Sequence, residues 1–187
     1  MGYDTDFDGY MVITPPLNAE QAAYINKFSA TRRVKRDPAK ASQIPDPLRE
    51  AVGLPIGEEG GYCVKFGPDE AMGSIYAQDD TMPHGRKSVL DNNNPPADQP
   101  GLWCQWVITE DGSKLQWDYC EKFYEPYLWL IYIQEHFLTP WGSKLNGEID
   151  WNGEEPRDMG TMYAEDGKIE AVLSTIHNPG PSWGKKT

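Results

Sequence analysis

The hydrophobic and polar positions of this chain change period several times, and each change marks a predicted element. Alternation from Phe7 to Ile13, stopped by Pro15-Pro16, predicts a strand, because proline cannot continue a ladder. A helix is predicted next. Asn18 can cap it, Gln21 stands where it can return the hydrogen bond, and Ala22, Ile25 and Phe28 recur at helical spacing. The helix is expected to end in the cationic run Arg32, Arg33, Lys35 and Arg36, where positive charge complements the negative end of the helix dipole.

Residues 37–61 are rich in proline and glycine and predict one short helical turn around Pro47 to Val52. Tyr62, Val64 and Phe66 alternate as a short strand. Residues 67–101 then read as a long irregular loop, broken at most by a short strand at Ser74 to Ala77, and loops of this length are usually functional or mobile.

Leu102 to Ile108 and Lys114 to Tyr119 predict a hairpin around Glu110-Asp111-Gly112-Ser113. Pairing Thr109 with Lys114 sets Trp106 opposite Trp117 and Ile108 opposite Leu115. Cys104, Trp106, Ile108, Leu115 and Trp117 then form a core face, with Trp106 and Trp117 a cross-strand core pair, while Trp103, Gln105, Lys114 and Gln116 lie on the other side. A second helix is predicted from Cys120 or Glu125 to Leu138, with Pro126 in its first turn and Pro140-Trp141-Gly142 as its stop. Tyr127 to Ile133 is apolar through almost two turns, so no side of that stretch is built for water. Self-association is expected through this helix or the adjacent Trp103 face, as a twofold dimer with Trp129 or Tyr132 near the axis. The rival expectation is that the 67–101 loop shields the helix within the monomer.

Leu145 to Trp151, Met159 to Glu165 and Lys168 to Leu173 read as a meander, with Asp166-Gly167 a strong two-residue turn, and residues 178–187 as a loose tail. Together these elements predict one α+β domain over residues 1–187, with a mainly antiparallel sheet (hairpin plus C-terminal meander) covered by two helices.

Charge narrows the partners. The chain has 17 basic and 29 acidic residues, a net of −12, which opposes general nucleic-acid binding and contact with anionic lipid. Residues 110–170 hold 14 acids and five bases, so the molecule is polarised, and such a face could engage a basic protein surface or imitate nucleic acid. No apolar run is long enough to span a membrane, and the start lacks a signal region, so a cytoplasmic location is expected. Three cysteines, Cys63, Cys104 and Cys120, with no close pair, predict buried free thiols.

Four groups of residues are candidates for chemistry. Asp4-Thr5-Asp6-Phe7-Asp8-Gly9 copies the first half of a calcium loop, making Asp4, Asp6 and Asp8 weak metal candidates, but Pro15 stands where the bidentate glutamate belongs. Arg32, Arg33, Lys35 and Arg36 are candidates for phosphate or partner binding, weighed against the simple helix-end role. Glu148, Asp150, Glu154, Glu155 and Asp158 could supply a general acid and base or a metal pair. Trp103, Trp129 and Tyr132 are the interface candidates. No catalytic residue and no cofactor is predicted, since no phosphate-cradling loop, nucleophile elbow or paired-histidine motif is present.

The strings Gly101-Leu102-Trp103-Cys104-Gln105-Trp106, Glu121-Lys122-Phe123-Tyr124, Glu135-His136-Phe137-Leu138-Thr139-Pro140-Trp141-Gly142 and Leu145-Asn146-Gly147-Glu148-Ile149-Asp150-Trp151 resemble an uncharacterised family of small bacteriophage and bacterial proteins. Phe28-Ser29-Ala30-Thr31-Arg32-Arg33 fits the same pattern. The resemblance implies a phage-type accessory protein, placed in the host cytoplasm, that binds a host protein or a small ligand and so inhibits a host factor. The alternative is a metal-dependent hydrolase or nuclease-like enzyme built on the acidic cluster at 148–158.

Overall fold

A computed structural model describes residues 2–41, 47–54, 89–91 and 93–174. The expected strands at 62–66 and 74–77, residues 67–88 and 92 of the 67–101 loop and the tail from 178 lie outside the described residues, as do Cys63, His84 and His177.

The fold is α+β, on one antiparallel sheet of six strands. In chain order its strands are β1 (Thr5–Thr14), β4 (Trp106–Ile108), β5 (Lys114–Trp117), β6 (Lys144–Gly153), β7 (Met159–Glu165) and β8 (Lys168–Leu173). Their order in space is β4-β5-β1-β6-β7-β8, so β1 joins the hairpin to the meander. A two-stranded ribbon, β2 (Lys35–Arg36) with β3 (Val89–Asp91), stands apart. The hairpin register is the expected one: Trp106 faces Trp117 and Ile108 faces Leu115. The meander turns at Asp166-Gly167, where both residues take the positive φ that a two-residue turn demands.

Alternation along β1 sends Phe7, Met11 and Ile13 inward, and Leu115, Leu145, Ile149 and Met162 join them on the buried face. Helix α1 (Ala19–Ser29) packs against β4 on that face, and its start carries the full reciprocal cap between Asn18 and Gln21. Two short helices follow, α2 (Pro38–Ala41) and α3 (Pro47–Ala51). Helix α4 (Pro126–Ile133) runs into a π-helical turn at Gln134–Leu138. Gln134 fixes that turn to the sheet: its Oε1 accepts the Leu145 N–H at 2.8 Å and its Nε2 donates to the Ser143 carbonyl at 3.1 Å.

The two edges of the sheet differ. At β4 the outward backbone groups are met by α1. Asn26 bonds the N–H and the carbonyl of Ile108, and the Ser29 hydroxyl donates to the Trp106 carbonyl at 2.7 Å. At β8 the described residues supply one comparable contact, from the Tyr127 hydroxyl to the Ile169 carbonyl at 3.2 Å.

Several expectations are corrected. Helix α1 ends at Ser29, so Arg32 to Arg36 lie beyond it and Lys27 is the basic residue of its last turn. Trp129 and Tyr132 are buried inside the monomer, against Phe28 and its neighbours, so neither ring lies on the monomer's surface as an interface residue would. Phe28 of α1, the sheet and, from the end of the 67–101 segment, Gln99 and Gly101 pack against this apolar stretch. Its exposed large hydrophobic is Leu128. Cys104 is buried, whereas Cys120 is exposed, because β5 ends at Trp117 and the chain leaves the sheet before reaching it. No helix among the described residues is long and apolar enough to cross a membrane.

Candidate functional site

The cationic run does not form one surface. Arg33 is fully buried: its guanidinium lies 4.1 Å from the Phe28 ring centroid, and its Nε donates to Gln99 Oε1 at 3.3 Å. Gln99 Nε2 in turn donates to the Tyr132 hydroxyl at 3.1 Å. Arg33 is therefore part of the core, while Arg32 is half-buried and Lys35 exposed in β2. The side chain of Arg36 lies outside the described residues. Within a strand-like backbone successive side chains point to opposite sides, which separates what one helix turn would have grouped.

Asp6 and Asp8 are exposed in β1, a strand paired with β6 from Thr5 to Thr14, so the segment cannot curl around a cation as a calcium loop does. Asp8 stands opposite Asp150, which accepts from the Thr161 hydroxyl at 2.5 Å, and Glu148 is exposed beside it. Asp158 faces another way: its carboxylate accepts from the Tyr3 hydroxyl at 2.5 Å and from Trp151 Nε1 at 3.1 Å. Among the described residues no three His, Cys, Asp or Glu side chains are grouped to hold a metal ion. The acids at 148–158 are thus divided between an open sheet face and a hydrogen-bonded loop.

The structure does bring Trp103 to a site. A cleft of about 750 Å³ opens between the end of α1, the segment around Pro100 to Gln105, and the connector from β5 to α4. Pro100, Leu102, Trp103 and Tyr124 give it apolar walls, and Asp118, Glu121 and Lys122 give it charged ones. Trp103 is 37% exposed and Tyr124 59% exposed, so two flat rings stand at the cleft with free faces. Behind the wall, the Trp129 indole N–H is buried without an acceptor among the described residues. It lies 3.6 Å from where a Cβ on Gly101 would be.

The connector is bent to make this shape. Tyr119, Lys122 and Glu125 all hold a left-handed backbone, with φ of 64°, 62° and 54°. A non-glycine residue held there costs of order 1 kcal/mol, and such strain clusters at functional sites. Gln105 holds the connector in place, since its Nε2 donates to the Glu121 carbonyl at 3.0 Å while the Asp118 N–H donates to the Gln105 carbonyl at 3.0 Å.

The titrating groups of the cleft are not tuned for nucleophilic work. Burial pushes the Cys104 thiol up to about 12. Burial, followed by the nearby Asp118 carboxylate, also raises the Cys120 thiol, so neither cysteine is a ready thiolate. Burial raises the Asp118 carboxyl above its ordinary value, opposed by the Cys120 N–H that it accepts at 2.9 Å.

The sequence held one signal for this site, the density of Trp103, Trp106 and Gly101 around the hairpin. The connector 118–125 carried none, because left-handed backbone at tyrosine, lysine and glutamate has no residue signature. A scan of protein-family models finds no match to the chain, and searches of curated proteins and of solved structures find none.

Proposed function

We propose that this chain is a non-enzymatic, phage-type accessory protein that works by binding, and that the Trp103–Tyr124 cleft is its binding site for a small, flat, largely apolar ligand. The observation that carries the reading is a cleft of about 750 Å³ walled by proline, leucine and two half-free aromatic rings, within which both thiols are held protonated. That size falls in the range of small-ligand sites, and apolar walls with a few polar groups are their usual make-up. Exposed tryptophan and tyrosine supply stacking area at small entropy cost. The two acidic residues Asp118 and Glu121 outnumber Lys122 in the lining, which favours a neutral or cationic ligand over an anionic one.

The neutral probe N-phenyl-1-naphthylamine tests the reading, because its emission rises in an apolar site. Micromolar binding is expected, weakened about tenfold by Trp103→Ala or Tyr124→Ala, the loss of one good stacking contact. Tyr124 is the more exposed of the two, so the melting temperature should hold in Tyr124→Ala. Absence of binding, or binding indifferent to both substitutions, refutes the cleft as the site.

A further inference from the structure

We propose that the outer edge of β8 is a strand-addition site, and that its occupant is an extended segment of a partner protein with alternating apolar and basic residues. The Ser174 N–H donates to the Met159 carbonyl at 2.8 Å, which fixes the phase of the β7–β8 ladder. In an antiparallel pair, residues that exchange hydrogen bonds alternate with residues whose backbone faces away. Ser174, Val172, Glu170 and Lys168 thus bond to β7, and Ile169, Ala171 and Leu173 turn their N–H and carbonyl groups outward. The Tyr127 hydroxyl on the Ile169 carbonyl agrees with that phase and bounds the free stretch at one end.

The contrast with β4 gives the open edge its meaning. An unpaired edge templates further pairing, and proteins usually seal it. Here Asn26 and Ser29 seal β4, and among the described residues no side chain meets the backbone of Ala171 or Leu173. Val172 and Leu173 are also 54% and 66% exposed, an apolar end that water covers poorly.

The two faces beside the edge define the partner. On the inner face, a groove of about 220 Å³ lies between Tyr127, Trp151, Met162 and Ala171, next to the edge, and can take an apolar side chain. On the outer face, Glu170 stands opposite the exposed ring of Tyr163, with Glu165 further along β7. A carboxylate beside an aromatic face suits lysine or arginine. Lys168 already pairs with Glu170 at 2.6 Å, but both are exposed, and such pairs exchange at little cost. Alternate side chains of an added strand point to opposite faces, so the fitting segment alternates apolar with basic. A second copy of this chain fits poorly, because it would bring another net charge of −12 against the same acidic face.

A labelled heptapeptide alternating lysine and valine is the probe, read by fluorescence anisotropy at physiological salt against the full chain. Saturable binding is expected, together with at least about tenfold weakening on methylating the valine backbone nitrogens. Ala171→Pro removes an outward N–H and spares the β7 ladder, a position where an edge strand tolerates proline, so it should weaken binding by a similar factor. Leu173→Lys provides a second route should that variant fail to fold, and should also weaken binding. A glutamate–valine peptide should not bind. Equal binding by the methylated peptide, or by both variants, overturns the proposal. So does a wild-type dimer in sedimentation that Leu173→Lys dissociates, since the edge would then belong to a second copy.

Discussion

Asn26 satisfies both backbone groups of Ile108: its Oδ1 accepts the N–H at 2.7 Å and its Nδ2 donates to the carbonyl at 2.9 Å. One helical side chain thereby does for the β4 edge what a neighbouring strand would do. Replacing Asn26 with leucine keeps the branching and the number of heavy atoms but leaves both groups unmet, which should cost about 1 to 3 kcal/mol in urea unfolding. The variant should also associate at concentrations where the parent does not. Unchanged stability in Asn26→Leu would mean that water serves the edge equally well.

The paired tryptophans of the hairpin should respond unequally. Trp106 is fully buried, and its Nε1 donates to the Pro126 carbonyl at 2.9 Å, so Trp106→Ala should cost about 3 to 5 kcal/mol. Trp117 is only half-buried, and its alanine variant should lose clearly less. Chemical denaturation of the two variants side by side measures the difference. Equal losses would contradict the asymmetry.

Arg33 and Lys35, two residues apart, should also behave differently. Arg33→Gln removes a buried guanidinium from Phe28 and Gln99, with an expected loss of about 1 to 3 kcal/mol. Lys35→Gln changes an exposed side chain and should stay within about 0.5 kcal/mol. Thermal unfolding of both proteins is the check, and a stable Arg33→Gln protein would place that side chain outside the core.

Thiol labelling of the native protein, mapped by peptide mass, should modify Cys120 and spare Cys104 until the protein unfolds. Labelling of Cys120 should speed up as pH rises, because its thiol is raised by burial and by Asp118. Early modification of Cys104 would show that the cleft opens to its floor.

Asp118 gives a pH dependence of stability with a definite sign. Its folded carboxyl titrates above the ordinary value of 3.8, chiefly through burial, so between that value and its own the folded state binds more protons than the unfolded state. Its contribution should therefore fall as pH rises through that window. Asp118→Asn should flatten the slope there, which urea midpoints measured across the acid range will show. A slope unaltered by the substitution would remove Asp118 as its source.

The parts of this fold that were legible in the sequence are the local ones. The Thr109–Lys114 pairing, the Asp166-Gly167 turn and the Asn18–Gln21 cap are each decided within a few residues by turn or capping chemistry, and each is present. The end of α1 was misread because four cations after a helical pattern look like a dipole partner, when Arg33 is held instead by the Phe28 ring and a distant glutamine. The expectation that Trp129 and Tyr132 face a second copy has a related origin, although both are buried within the monomer. An apolar helix reads the same whether its cover is another chain or other segments of its own, such as α1, the sheet and Gln99. The cleft depends on three left-handed residues and on segments that meet only in space, and no periodicity records such meetings.

The position of β1 has a consequence for how the protein is made. Translation delivers this strand before either of its neighbours, yet it ends in the middle of the sheet, with Met11 beside Leu115 and Gly9 beside Ile149. At ordinary elongation rates of about 5 to 20 residues per second, on the order of ten seconds pass between the emergence of β1 and that of β6. Until β5 follows, both sides of this ten-residue strand lack their partners, and the β6 side waits longest. Asp6 and Asp8 leave charge on the solvent side of that strand, and charge on an unpaired strand disfavours pairing with another chain.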